Sequence, residues 1–373
     1  MHLEFIMKKK FKKIAIIHDV FIEKGGAERV LASLVSMFPD ADVFIPLLSD
    51  ENRSFLEKRT KGKIYSSFFN HIPFIHSASI ILKPFLYWYW ETLDLAGYDL
   101  VTSSSHSFSS KGVITSSEKL HVSYIHTPPR YLYAEFNEAR ILENKFFKYL
   151  LTPLLSWMRQ KDFIAAQRPD ILIANSIEVQ KRIKKYYRRD SKVIYPPVSA
   201  FSSLKIKNNK KEYYVCFSRL AKQKGMDLII KSFNKMGKKL VVVGEGSEKK
   251  YLQSIANKNI TFLGYLSDKK LSRVFSKAKG LVYASIEEDF GMVPVESLSM
   301  GVPVIAFYSG GVKEVVNNKT GVFFKERTTH DVVSAIKKFE KKTFLKKDCV
   351  KRAANFSESK FKKSILKVIG EKR

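Results

Sequence analysis

Acidic residues are scarce in this sequence. Against 66 Lys and Arg stand 36 Asp and Glu, a formal net charge of +30 over 373 residues. That imbalance argues against a cationic partner and for an anionic one, with nucleic acid and an anionic membrane surface both qualifying. Most of the basic residues are lysines scattered on helices and loops, in short runs such as Lys207 to Lys211 and Lys181 to Arg189, so solvated faces account for part of the charge. Cysteine is almost missing. Cys216 and Cys349 sit in apolar or helical contexts with no partner at ligand spacing, which excludes a disulfide framework and a cysteine metal site and fits reduced core thiols of a cytosolic protein. Uninterrupted apolar runs are missing too. The basic N-terminus is followed by four apolar residues before His18 and Asp19, too few for a signal segment and better read as a first strand. What is plentiful is core material: 45% hydrophobic and 13% aromatic residues, at a length that suggests two domains.

Ser285 to Gly301, SIEEDFGMVPVESLSMG, carries the densest chemistry. An apolar strand ending at Ala284 runs into a loop holding Glu287, Glu288 and Asp289, then Phe290-Gly291, and a helix is expected to open after Pro294 and carry Glu296. The amides of Gly291, Met292 and Val293 are expected to point from that helix N-terminus as an anion site, flanked by two carboxylates. A phosphate attached to a hydroxyl-rich group, such as a nucleotide sugar, suits both.

Strand and helix signals alternate along the rest of the chain. Ile14 to His18 reads as a buried strand, followed by a loop with Gly25-Gly26 and an amphipathic helix from Val30 to Phe38. The glycine pair suits either close backbone approach to a ligand or a plain tight turn. Further strands are expected at Asp42 to Leu47, Lys63 to Tyr65, Leu100 to Ser103, Val113, His121 to Ile125 and Asp170 to Ala174, and a long helix from Glu138 to Ala166 broken near Pro153. After Pro196-Pro197 and a basic linker the alternation restarts, with strands at Tyr213 to Phe217, Leu240 to Val243, Thr261 to Leu263, Gly280 to Ala284 and Val304 to Phe307, and a final basic helix. This predicts an α/β chain of two similar halves with parallel sheets covered by helices. The domains expected are 1–200 and 201–355, with 356–373 a C-terminal helix crossing back to the first. Phe68 to Trp90 is the most aromatic stretch; Lys83-Pro84 and two histidines interrupt it, short of the roughly 18–20 apolar residues that span a bilayer. Two readings fit it: a surface dipping into a membrane interface, or a core-packed helical pair beneath the sheet. Gly244-Glu245-Gly246 lacks the third glycine and the acidic partner of a dinucleotide fingerprint, and reads as a tight strand-to-helix turn.

The loop Ser218 to Gly225 ends the first strand of the second half, where Arg219 and Lys224 are placed to clamp a diphosphate, one by a planar fork and one as a point charge. With Glu288-x7-Glu296 around Phe290-Gly291 and Pro294, GGAERV at Gly25 to Val30, VIYPPV at Val193 to Val198, FLGYLSD at Phe262 to Asp268 and MGVPVIA from Met300, the chain resembles the retaining glycosyltransferases of family 4, which have the GT-B architecture. DLAGYDLVTSSSHS at Asp94 to Ser107 and YIHTPPRYLY at Tyr124 to Tyr133 are most similar to mannosyltransferases of bacterial O-antigen and related surface-polysaccharide assembly.

That resemblance implies two facing Rossmann-like doubly wound domains with a cleft between them. It implies transfer of a hexosyl group, best guess mannosyl from GDP-mannose, to a lipid-linked saccharide acceptor, with a UDP-sugar transferase or a nucleotide-sugar 2-epimerase as alternatives. Glu296 is then expected on the ribose hydroxyls, Glu288 on a hydroxyl of the donor hexose, and Arg219, Lys224 and the amides of Gly291, Met292 and Val293, beside Phe290, on the diphosphate as its charge grows. Gly264, Tyr265 and Leu266 border the base, Gly25 and Gly26 come from the opposite domain, His126 faces the sugar, and Asp19, His106 and Arg130 stand on the acceptor side. Glu287 is a competitor to Glu288 by one register slip. No protein nucleophile, cofactor or metal is expected, in keeping with the lack of an Asp-x-Asp at a plausible metal position. A lipid-linked acceptor joins the basic charge and the 68–90 stretch in one expectation: a cytoplasmic enzyme peripheral on the inner membrane face. A nucleic-acid-binding protein has only the charge in its favour, since no recognition motif appears. A glycosidase using Glu288 and Glu296 leaves Arg219, Lys224 and the phosphate-type amides unexplained.

Overall fold

The computed structural model describes residues 11–23, 25–72, 74–76, 79–133, 145–198, 211–286 and 288–371. The chain divides into two compact units, residues 1–197 with 361–373, and residues 198–360.

The first unit is built on a parallel sheet of seven strands: β1 (Ile14–His18), β2 (Asp42–Phe44), β3 (Ile64–Tyr65), β4 (Leu100–Ser105), β5 (Leu120–Ile125), β6 (Ile171–Ala174) and β7 (Lys192–Val193), in the order β3-β2-β1-β4-β5-β6-β7. Parallel sheets are covered on both faces, which is why β1 is an unbroken apolar run. Its alternate residues serve opposite cores: Ile14 and Ile16 pack with Val30, Leu34 and Val43, whereas Ala15 and Ile17 pack with Leu86, Trp90 and Val101. Helix α1 (Gly26–Met37) buries Val30, Leu31, Leu34 and Val35, the spacing of one helical face. Helix α2 (Lys83–Glu91) has Pro84 in its first turn, where a missing N–H is harmless, and buries Leu86, Tyr87 and Trp90. Its other face leaves Phe85 and Trp88 exposed. The reading of a core-packed helix thus holds for the face that carries Leu86, Tyr87 and Trp90.

Helix α3 (Lys145–Gln167) runs without a break through Pro153, contrary to the expectation of an interruption there. The proline lies on an exposed turn, so water can take the carbonyl that it leaves without a donor. Residues 138–144 of the expected helix lie outside the described residues. Val113 is fully buried, but in coil after a short 3₁₀ turn (Ser110–Gly112) rather than in a strand, so its apolar neighbours satisfy it without a ladder.

The second unit holds six parallel strands, β8 (Tyr213–Phe217), β9 (Leu240–Val243), β10 (Ile260–Phe262), β11 (Ala278–Tyr283), β12 (Val304–Phe307) and β13 (Gly321–Phe324), in the order β10-β9-β8-β11-β12-β13. Helix α4 (Met226–Met236) buries Ile229, Ile230 and Phe233 against this sheet. Helix α5 (Met292–Ser299) starts two residues before Pro294, not after it, because Gly291 with φ 98° turns the chain directly into the first turn. Helix α6 (Glu358–Glu371) places Phe361, Ile365, Leu366 and Ile369 in the same core as Ile14 and Ile16 of β1. Such burials stabilise by about 1.5–3 kcal/mol per side chain.

Both sheets reverse their strand order at one place, between β1 and β4 in the first unit and between β8 and β11 in the second. In doubly wound sheets the crevice at the carboxyl ends of such strands is the ligand-binding place.

Candidate functional site

In the second unit, the loops leaving β8 and β11 converge at that reversal. The β8 loop is shaped by glycine. A Cβ on Gly244, which has φ 134°, would stand 1.9 Å from the carbonyl oxygen of Ser218, so only glycine lets the β9 turn hold the 218–220 segment. Gly225, at φ 63°, brings the Lys222–Lys224 turn against β11, where a Cβ would meet the Ala284 carbonyl at 2.6 Å. The Ile286 amide donates to Gln223 across the two loops.

That approach sets Lys224 beside Glu288. One carboxylate oxygen of Glu288, Oε2, accepts from Lys224 Nζ at 2.8 Å, Tyr283 OH at 2.7 Å and Ser285 Oγ at 2.6 Å. Its side chain is 20% exposed. Burial pushes this carboxyl up, but Lys224 and the two hydroxyls more than offset it and hold it at about 2, so Glu288 is ionised. With three donors on Oε2, Oε1 is the oxygen open to an incoming hydroxyl. The Glu288 carbonyl accepts from the Gly311 amide at 2.7 Å, and a Cβ on Gly311 would meet the Asp289 carbonyl at 2.4 Å, so the loop after β12 holds this turn.

The other residues expected here fall as follows. Glu296 is buried on α5, one turn beyond Met292 and Val293, whose amides belong to the first helical turn. Phe290 turns into the core against Phe356, with ring centroids 5.3 Å apart, so only its backbone can reach a ligand. Arg219 is exposed on the β8 loop. Gly264 has φ 66° and accepts from the Gly244 amide, Tyr265 is exposed beside it, and Leu266 is half-buried. Glu287 lies outside the described residues.

In the first unit, Asp19 is fully buried and accepts from the backbone N–H groups of His106 (2.7 Å), Phe108 (2.8 Å) and Ser110 (2.7 Å). Burial raises its carboxyl, and His106 with these donors brings it to about 2. Its oxygens are engaged in shaping the 106–110 loop, so it positions His106. His126 follows β5 directly, with Nε2 2.9 Å from Ser104 Oγ; burial, then the neighbouring imidazoles, lower it to about 3, so its ring is neutral. Gly25 caps α1, Gly26 opens it, and Arg130 starts the short helix Arg130–Tyr133. His18, Glu28 and His106 converge, with ligand-capable atoms within 4.8 Å of one another.

Sequence reasoning missed Tyr283, Ser285 and His18. Tyr283 and Ser285 lie two residues apart at the end of β11, so the alternation that put Tyr283 and Ser285 on one side was a usable signal. It also missed a buried network in the first unit, where Lys111 pairs with Asp162, which accepts further from Ser109, Tyr133 and Tyr187.

The fold is that of the Anabaena protein HepE, solved in complex with UDP and glucose, at TM-score 0.67 and 17% identity over 96% of this chain and 99% of that one. A family model described as Glycosyltransferase Family 4 matches residues 24–200, and one described as Glycosyl transferases group 1 matches residues 201–356. The chain is a family-4-like glycosyltransferase of the GT-B type. This glycosyltransferase is 24% identical over 232 residues to the GtfA subunit of a UDP-N-acetylglucosamine–peptide N-acetylglucosaminyltransferase of Streptococcus pneumoniae, covering 59% of this chain and 44% of that one. It is 32% identical over 140 residues to a GDP-mannose-dependent phosphatidylinositol monomannoside mannosyltransferase of Mycobacterium tuberculosis, covering 33% and 36%. The glycosyltransferase spans less than about two thirds of the length of the curated relatives it matches.

Proposed function

We propose that this chain transfers a hexosyl group from a nucleotide diphosphate sugar to a lipid-linked saccharide, with retention and without a metal in the transfer step. The observation that carries the reading is Glu288, held ionised by Lys224, Tyr283 and Ser285 with Oε1 open, where the loops leaving β8 and β11 meet. An ionised carboxylate orients a sugar hydroxyl by accepting from it. Lys224 has three donors and spends one on Glu288, so the same ammonium can serve the donor phosphates. Arg219 and the first-turn amides of α5 add positive potential where charge grows as the diphosphate leaves. Glu296 takes the ribose hydroxyls. In the first unit, the neutral ring of His126 and the Gly25-Gly26 turn are the sugar-side and phosphate-side groups of this reading, and His106 and Arg130 stand on the acceptor side. Attack is from the front face, and the leaving phosphate accepts the acceptor's proton.

GDP-mannose is the donor of choice, supported by the likeness to the GDP-mannose-dependent mannosyltransferase. A UDP-sugar is the competing donor, favoured by the solved relative that holds UDP. Peripheral association with an anionic membrane face is supported by the +30 charge and by exposed Phe68, Phe74, Phe85, Trp88, Tyr149 and Leu150 of the first unit. No helix among the described residues is long and apolar enough to cross a membrane.

A thermal-shift panel with GDP-, UDP- and ADP-sugars, repeated on Glu296→Ala, tests the reading. A shift with GDP-mannose that the variant loses is expected. A shift with UDP-sugars alone would replace the donor, and no shift with any of the three would refute the donor site.

A further inference from the structure

We propose that His18, Glu28 and His106 bind a divalent transition-metal ion of the zinc class, at the strand-order reversal of the first unit. His18 is the observation that asks for a ligand. It ends β1 wholly buried, and neither of its ring nitrogens has a hydrogen-bond partner. Buried imidazole nitrogens are ordinarily satisfied, and the group that His18 faces is a carboxylate that stays out of reach: Glu28 Oε1 is 3.9 Å from His18 Nε2. The ligand-capable atoms of all three residues lie within 4.8 Å of one another. Inward rotations of about 1 Å would bring them to the ~3.3 Å spacing of neighbours around a tetrahedral ion with bonds of about 2.0–2.1 Å.

Three separate elements supply the ligands, which is what a built site requires. His18 closes β1, His106 follows β4, and Glu28 lies in the first turn of α1. Two imidazoles and one carboxylate match zinc, cobalt or ferrous iron better than magnesium or calcium, which prefer all-oxygen shells. Three protein ligands leave a coordination position for solvent. His18 is sealed while the His106 side chain is 22% exposed, so an ion enters from the His106 side. An outer carboxylate is present as well: Asp19 Oδ2 stands 3.7 Å from His106 Nδ1, and its three backbone donors fix it there. Carboxylates beside ligating imidazoles orient the ring. Gly25 has a place in the same site. A Cβ there would stand 2.9 Å from Glu28 Oε2, so glycine leaves that carboxylate free to swing toward His18.

The site does not depend on the donor reading, since its residues belong to the first unit and its test reads metal rather than transfer. The untagged full chain is stripped with chelator and titrated with Co²⁺ and Zn²⁺, followed by calorimetry and by the visible d–d absorption of Co²⁺. One equivalent is expected, with affinity falling at least about tenfold in both Glu28→Gln and His106→Ala. Glu28→Gln keeps the side-chain volume, so it remains informative if His106→Ala fails to fold. Absence of stoichiometric binding overturns the proposal. So does binding that both variants leave unchanged, which would assign the ion to other histidines.

Discussion

Replacing Glu288 by glutamine keeps the shape of the side chain and removes the charge that Lys224, Tyr283 and Ser285 address. The carboxyl is held at about 2 against an ordinary 4.5. Each tenfold change in proton affinity is worth about 1.4 kcal/mol, so the ionised form contributes about 3 kcal/mol to the folded state. The sign follows from the direction: a carboxyl lowered on folding stabilises above its unfolded value, and loses that contribution as pH falls through 4.5 toward 2. Urea denaturation of the wild type and Glu288→Gln, following the transition of the second unit, should therefore differ by about 3 kcal/mol at pH 7 and by about 2 at pH 3.5, narrowing further below that. Taking the difference between the two proteins removes the other carboxylates that titrate in the same range. A gap below about 1 kcal/mol at pH 7, or one that does not narrow with acid, would refute the electrostatic account of this site.

Lys111→Met should destabilise the first unit by about 3–5 kcal/mol, because it leaves Asp162 buried and charged without its cation; a loss within about 1 kcal/mol by urea denaturation would show that Ser109, Tyr133 and Tyr187 suffice. Phe85→Ser with Trp88→Ser should reduce flotation with anionic liposomes at low salt while leaving the melting temperature near the wild type's, since both side chains are exposed. Failure of the wild type itself to float would remove the membrane reading.

The second unit was the more legible half. β8, β9 and β12 have the bounds that their apolar runs suggest: Glu212 and Ser218 flank the first, Lys239 and Gly244 the second, and Pro303 precedes the third. β7 and β13 were not foreseen: the first is two residues long, and the second, Gly321–Phe324, begins with a glycine that reads as a turn. The pair Glu288 and Glu296 was visible from spacing, and Gly225 from its place at the end of the basic 218–225 loop. What spacing could not show is which cation meets which carboxylate. Lys224 and Glu288 are 64 residues apart, joined only because β8 and β11 are neighbours in the sheet. His18 and His106 come together the same way through β1 and β4, and nothing local marks His18 as more than the end of a strand. Lys111 read as one more lysine of a basic chain, and its burial depends on a helix 51 residues away.

Helix α6 has a consequence for how the protein is made. Phe361, Ile365, Leu366 and Ile369 fill the core that β1 begins, yet residues 198–360 of the second unit are synthesised between them. At roughly 5–20 residues per second, a ribosome needs roughly 8–30 s to make that insertion of 163 residues. Through that interval α1 already packs on this face of the first sheet, but the part that α6 covers stays open to water, while the second unit is synthesised whole. The later half of the chain is then synthesised whole before the earlier one, whose core keeps an apolar gap until its last helix arrives.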